Sequence, residues 1–514
     1  MNMHIAIHLF SFMLCSIFLS NCLVQCKKQK VSRKKPKLSS NAPVCMDNNP
    51  NMYSLESYKK AQDITIKGFS SWIRPGGTGR KKALSMWEQA VSTSALALDA
   101  RHKLALIELN KGNANLAVDI WNNSLSMLSD MHRRIGYAEP WDTVMSESNF
   151  VHGTATSDAL PHKLRHDAEQ LRYLASLDIW SEVASTRQEY YTLADMYWNI
   201  SVQLEALRPS FTRPGNEHGY MSLRHDILDS AMGGIWGRMW LKEHQLKLPE
   251  LQPGQRVVRQ RPDMSELMDA FRRDRVVVVD DVLTDEALHM AYEALLRCPV
   301  WHEVKPWGYL GAYPSSGLAV AHPVFLAIGQ QLPEVFKGIY DSFVDPSLEG
   351  DNDDEHSEGK DGMSSQSLSN ASELNMVWAY KYDNSGSDTE RAGIGIHADD
   401  ALLNINMWLT PDEANVEEAG ALGVSIDGGG GLIVYKDLAP PGWSMLDNTE
   451  RDADHSGNVR DMWLGRDNIT VSYKQNRMVL FDSERYHRTA AYNFKPGYRN
   501  RRINLTFLYG NRRH

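Results

Sequence analysis

The stretch Gly393-Ile394-Gly395-Ile396-His397-Ala398-Asp399, answered far downstream by Phe481-Asp482-Ser483-Glu484-Arg485-Tyr486-His487, decides how the C-terminal half is read. Side chains alternate along an extended strand, so His397 and Asp399 are predicted to project to one side. A strand returning beside the first brings His487 to them. Two neutral imidazoles and a carboxylate make a ligand face suited to Fe(II), with three coordination positions open to a bidentate keto acid and O2. Arg502 heads the apolar strand Arg502-Ile503-Asn504-Leu505-Thr506-Phe507-Leu508-Tyr509. A buried cation there would anchor a far carboxylate.

Outward from this pair, the pattern over residues 255–514 is of short strands broken by Gly, Asp and Asn. Strands are predicted over 276–279, 376–382, 402–409, 432–435, 469–473, 477–481 and 502–509, with a helix over 284–297. That spacing suggests a double-sheet jelly roll. Arg499 and Arg501 compete with Arg502 for the anchoring role. Alternation puts Arg502, Asn504 and Thr506 on one face and Arg501, Ile503 and Leu505 on the other, which favours Arg502 and leaves the other two arginines as a charged approach to the strand. Gly428 to Gly431 lacks the Gly-Lys-Ser/Thr of a phosphate cradle and reads as a turn. Trp301, Trp307 and Tyr313 are either a substrate groove or core aromatics.

Residues 54–250 read as helical. Ala83-Leu84-Ser85-Met86-Trp87 recurs as Ala117-Val118-Asp119-Ile120-Trp121, an offset of 34 residues, with a break at Gly112-Asn113. This period resembles tetratricopeptide repeats, which imply a protein-binding scaffold; helices bracing the second domain are the alternative. His162 and His166 are one turn apart on a helix over 160–177, but Lys163 and Arg165 beside them oppose a metal, and a structural face is preferred. Residues 345–372, rich in Asp, Glu, Ser and Gly, are predicted to be a disordered insert.

A chain of 514 residues exceeds one core and implies two domains. Its net charge of −9 includes a wholly basic start (Lys27 to Lys37), so the rest is more acidic still and nucleic acid is an unsuitable partner. The apolar segment from His4 to Val24 reads as a signal peptide, residues 1–26, followed by a basic linker, residues 27–53. An uncleaved anchor is the alternative and the one route to a membrane association. Cleavage places the protein in the secretory pathway. Sequons at Asn122, Asn199, Asn370 and Asn468 agree with a glycoprotein, whereas the one at Asn504 lies in a predicted core strand and should escape modification. Cys45 and Cys298 allow at most one disulfide beyond the signal.

From Ala379 onward, the run AYKYD, HADDALLNINMWLTPDEAN, GGLIVYK, RMVLFDSERYHRTA and GYRNRRINLTFLYG resembles the 2-oxoglutarate/Fe(II)-dependent dioxygenases, in their prolyl-hydroxylase-like and alkylation-repair-like branches. The resemblance implies an α+β protein: an all-α tetratricopeptide-like region, then a double-stranded β-helix (jelly-roll) oxygenase domain. It implies Fe(II) on His397, Asp399 and His487, 2-oxoglutarate paired with Arg502 and contacted by Asn504 and Tyr382, O2 as oxidant, and ascorbate as a candidate accessory reductant. A second co-substrate Arg of the repair enzymes would fall at Leu508 and is absent, which weakens a base-demethylase reading. The implied activity is decarboxylation of 2-oxoglutarate to succinate with hydroxylation of a protein or peptide side chain. A small-molecule oxygenase, or a scaffold whose oxygenase domain is inactive, are the competing readings.

Overall fold

The structure, a computed structural model, describes residues 52, 55–72, 79–95, 97–134, 161–177, 184–211, 248–298, 300–301, 303–305, 308–314, 318–342, 372–385, 393–416, 429–440 and 466–510. The predicted signal peptide, the basic linker apart from Met52, Trp307 and the acidic insert apart from Ser372 lie outside them. No described helix is long and apolar enough to cross a membrane.

Six helices lead the described part: α1 (Leu55–Trp72), α2 (Arg80–Thr93), α3 (Leu98–Asn110), α4 (Ala114–Arg134), α5 (Pro161–Ser176) and α6 (Ala184–Phe211). The break between α3 and α4 falls where the sequence places it. Gly112 adopts φ +85°, a conformation that costs glycine nothing and a β-carbon a good deal. The two halves of the internal repeat are buried alike: Ala83, Trp87 and Ala90 on α2 match Ala117, Trp121 and Ser124 on α4. Each tryptophan donates its indole N–H inside the helical layer, Trp87 to the Thr65 carbonyl (3.3 Å) and Trp121 to His102 Nδ1 (3.2 Å).

After α7 (Met264–Asp274) come β1 (Val276–Val279), α8 (Asp285–Arg297), β2 (Glu303–Lys305), β3 (Tyr309–Ala312), β4 (Leu374–Tyr382), β5 (Leu403–Trp408), β6 (Leu432–Leu438), β7 (Asn468–Val471), β8 (Met478–Asp482), β9 (Arg485–Thr489) and β10 (Ile503–Tyr509). Thr284 caps α8, its hydroxyl accepting from the Ala287 N–H. The strands form two antiparallel sheets, one ordered β1-β8-β5-β10-β4-β3-β2 and the other β7-β6-β9.

Period-two alternation divides the large sheet cleanly. Val277, Val279, Leu403, Ile405, Met407, Leu480, Leu505 and Phe507 enter one core with α8 and with Leu106, Leu109 and Trp121 of the helical layer. On the opposite face Trp378, Tyr380, Tyr382, Trp408, Val479 and Phe481 share a cluster with Leu432, Val434 and Val471 of the small sheet. The helical layer is therefore fused to the sheet through one hydrophobic core. Polar contacts reinforce it: Arg80 grips Glu373 with both terminal nitrogens (2.9 and 2.8 Å), and Asn110 brackets the main chain of Leu374.

Arg501 departs from its expected place on a charged strand approach. It is buried beneath α5, with Nε on Glu169 (2.7 Å) and Nη1 on Asp383 (2.9 Å), and Arg165 approaches the same Asp383 (3.1 Å). Burial works against ionisation of Asp383, but Arg501 and Arg165 outweigh it and hold the carboxyl below its usual range. His162 and His166 face this layer as structural residues. His166 contacts Asp167 (2.9 Å) and Lys381 (3.3 Å). Trp301 is likewise core, donating to the Leu295 carbonyl (2.9 Å).

Burial lowers His102 and His162 to about 3 and holds His166 well below the usual imidazole range. Below pH 6.5 the unfolded chain takes up protons that these folded imidazoles refuse. Stability is therefore full above pH 6.5 and falls as the pH drops toward 3, by up to about 1.4 kcal/mol per pH unit for each histidine. Urea denaturation midpoints at pH 7 and pH 5 check this; equal midpoints would contradict buried neutral imidazoles.

Candidate active site

His397 and Asp399 lie on an irregular segment, and this corrects the expectation of a strand. One isolated bridge substitutes for a ladder: His397 and His487 exchange backbone hydrogen bonds in both directions (3.0 and 2.8 Å). Two residues on, the Asp399 N–H reaches the Ser483 carbonyl (3.3 Å) and the Ser483 hydroxyl donates back to the Asp399 carbonyl (3.2 Å). The Asp482–Glu484 turn thus fixes the segment in place of regular pairing. Gly393 starts it at φ +66°, where a β-carbon would strike Thr489 at 2.8 Å.

These ties bring the three side chains together. Their ligand atoms all lie within 4.8 Å of one another, the one such His/Cys/Asp/Glu group among the described residues. His487 Nε2 stands 3.4 Å from Asp399 Oδ2, and His397 Nε2 stands 3.9 Å from Asp399 Oδ1. Asp399 and His487 are buried. Each imidazole is oriented by the main chain two residues before it: His397 Nδ1 donates to the Gly395 carbonyl (2.8 Å) and His487 Nδ1 to the Arg485 carbonyl (3.1 Å). With Nδ1–H committed, each Nε2 is the atom able to accept a metal. Burial raises the Asp399 carboxyl, but His487, His397 and the Asn404 amide overcome it, so the group sits below its usual range. Two imidazole nitrogens and a carboxylate this close need a proton or a metal cation among them, and the donor set fits a divalent metal.

A second cluster surrounds Arg502. Its guanidinium is buried and, among the described residues, meets neutral acceptors: the Gly430 carbonyl (2.5 Å from Nε), the Gly431 carbonyl (3.5 Å from Nη2) and Asn504 Oδ1 (3.3 Å from Nη1). The Tyr382 ring lies 4.5 Å from its Cζ. Arg501, one residue earlier, has two carboxylates; Arg502 has carbonyls and an amide. Among the described residues Arg501 thus meets two carboxylates and Arg502 none, and the terminal nitrogens of Arg502 have more N–H groups than the acceptors found for them. The Tyr382 hydroxyl contacts Thr489 Oγ1 (3.3 Å), two residues beyond His487 on β9.

Three contributions were not singled out from the sequence. The Gly429–Gly431 turn does more than connect strands, because two of its carbonyls hold Arg502. Gly430 itself needs to be glycine: φ is +81° and a β-carbon would meet Phe494 at 2.9 Å. Asn404 and Asn406 alternate with Leu403, Ile405 and Met407 on a fully buried strand, a pattern that marks two inward amides. Asn404 Nδ2 donates to Asp399 Oδ2 (2.6 Å).

No family model matches the sequence, and no curated protein does. Solved structures similar to the chain include an oxidoreductase of the 2OG-Fe(II) oxygenase family from Burkholderia pseudomallei (12% identity, 49% of this chain and 92% of that one, TM-score 0.27). A Pseudomonas putida prolyl-4-hydroxylase is another (12% identity, 48% and 100%, TM-score 0.27). HygX from Streptomyces hygroscopicus with nickel and 2-oxoglutarate bound is a third (11% identity, 48% and 86%, TM-score 0.29).

Proposed function

We propose that the chain is an Fe(II)- and 2-oxoglutarate-dependent oxygenase. The observation that carries this is the convergence of His397, Asp399 and His487 with both Nδ1 atoms already committed to carbonyls. In this reading those three residues hold the iron. Arg502 pairs with the distal carboxylate of 2-oxoglutarate, Tyr382 packs beside it, and Asn504 holds the guanidinium. The two sheets are the halves of a double-stranded β-helix around the site, and the helical layer is tetratricopeptide-like.

Bound iron would supply the O2 chemistry that no side chain can. The chain's own part is placement. The carbonyls of Gly395 and Arg485 fix the imidazole planes, and the Asn404 amide holds one oxygen of Asp399. The Tyr382 ring, packed in one cluster with Tyr309, Tyr380 and Trp378, covers the Arg502 guanidinium. The substrate class we propose is a protein or peptide side chain met in the secretory pathway. The apolar N-terminal segment motivates the location.

Anaerobic protein given Fe(II) and 2-oxoglutarate should show a metal-to-keto-acid charge-transfer band, and O2 should then yield succinate. Absence of both would leave the inactive-scaffold reading. Arg502→Lys replaces a two-point grip by one point, so 2-oxoglutarate affinity should fall about tenfold, near 1.4 kcal/mol. Titration of the same band measures it; unchanged affinity would move the anchor elsewhere.

A further inference from the structure

An unbroken line of side-chain amides runs between the two clusters. Arg502 Nη1 donates to Asn504 Oδ1 (3.3 Å), and Asn504 Nδ2 to Asn406 Oδ1 (3.3 Å). Asn406 Nδ2 donates to Asn404 Oδ1 (2.7 Å), and Asn404 Nδ2 to Asp399 Oδ2 (2.6 Å). Thr506 doubles the middle step, accepting from Asn504 (3.2 Å) and donating to Asn406 Oδ1 (2.8 Å). All of these residues are buried, and β5 and β10 set Asn406 directly across from Thr506.

The ends dictate the direction of the line. A guanidinium has only donors and an ionised carboxylate only acceptors. One amide turned over anywhere between them would oppose oxygen to oxygen or N–H to N–H. In a buried, low-dielectric setting such a mismatch is costly, and correctly ordered bonds polarise one another. Asp399 can only accept and so favours the Asn404 NH2, but one hydrogen bond leaves the amide free to tilt about it. The bond donated by Asn406 to the Asn404 oxygen fixes the amide at its other end and locks the same orientation.

Resting on the function proposed above, we infer that Asn406 is a positioning residue: it keeps the Asn404 amide turned toward Asp399 and thereby ties the metal-ligating carboxylate to the Arg502 end of the site. Asn406 touches neither the metal nor the co-substrate position. Its effect passes through Asn404, and occupancy at either end is thermodynamically linked to the other.

The test is Co(II) binding to the metal-free full chain without 2-oxoglutarate, followed by calorimetry and by the Co(II) visible absorption, with thermal melts of the metal-free forms as the check on folding. Asn406→Leu removes the donor and the acceptor. Asn406→Asp keeps the shape and the accepting oxygen and adds negative charge, but once ionised it cannot donate to Asn404. Charge attraction alone predicts tighter Co(II) in Asn406→Asp. The amide line predicts weaker binding in both variants, by about 10–100-fold, the range for losing support of a metal ligand, with an altered absorption band. Folded variants that bind Co(II) as tightly as the parent, or an Asn406→Asp that binds more tightly, would overturn the inference. If Asn406→Leu does not fold, Asn406→Asp and the milder Thr506→Val carry the test, the latter with a severalfold weakening. A parent protein that fails to bind Co(II), or an Asp399→Ala that binds it equally well, removes the proposed function itself. That outcome is distinct from failure of the amide line.

Discussion

Asp399→Ala is expected to abolish 2-oxoglutarate-dependent succinate formation and to weaken Co(II) binding by more than the roughly 10–100-fold that follows loss of a supporting hydrogen bond. Asp399 is the one carboxylate in the group of three, so its loss leaves two neutral imidazoles facing a divalent cation. It also leaves the Asn404 amide, buried and donating, without its acceptor. Apo-protein stability should change far less than metal affinity, because burial of the carboxylate opposes the contacts that favour it. Calorimetric titration with Co(II), beside a succinate assay with Fe(II), reads both quantities. Retained turnover in a folded Asp399→Ala protein would end the metal-site reading.

Arg501→Leu is expected to lower the unfolding free energy by about 3–5 kcal/mol, the cost of stranding buried charges when one partner of an ion pair is removed. Arg501 and Asp383 are almost wholly shielded from water and Glu169 is 15% exposed, so solvent screening does little to soften the loss. Asp383 retains Arg165, whereas among the described residues the Arg501 contact is the ion pair found for Glu169. Glu169→Gln in the Arg501→Leu background should recover part of the deficit, and a double-mutant cycle in urea isolates that coupling. A loss under about 1 kcal/mol would show that the pair behaves like an exposed one.

How much of this was legible beforehand depends on which physical rule governs each residue. Period-two alternation over β10 separates Arg502, Asn504 and Thr506 from Arg501, Ile503 and Leu505, and the structure keeps that division. The strand runs were legible for the same reason, since alternation and β-branched content are local. The segment carrying His397 and Asp399 obeys no such rule. Its geometry comes from one bridge to His487 and from the Ser483 turn, contacts 84 or more residues away in sequence. Arg501 read as surface because charge beside a strand usually is; only the distant Glu169 and Asp383 make burial tolerable. The inward amides of β5 were visible in the alternation of Leu403, Asn404, Ile405, Asn406 and Met407. Their partners on β10 and at Asp399 were not.

The joint between helices and sheet bears on how this chain can be cut. A fragment starting near Gln255 would lose α1 to α6. With them would go the cover over Leu374, the acceptor for Arg501 Nε and the Gln170 amide that closes the Leu296 and Cys298 carbonyls. Such a piece would expose a greasy flank and leave the Arg501 guanidinium with Asp383 alone, one of its two carboxylates gone. Helices and sheet are therefore best expressed and crystallised as one piece.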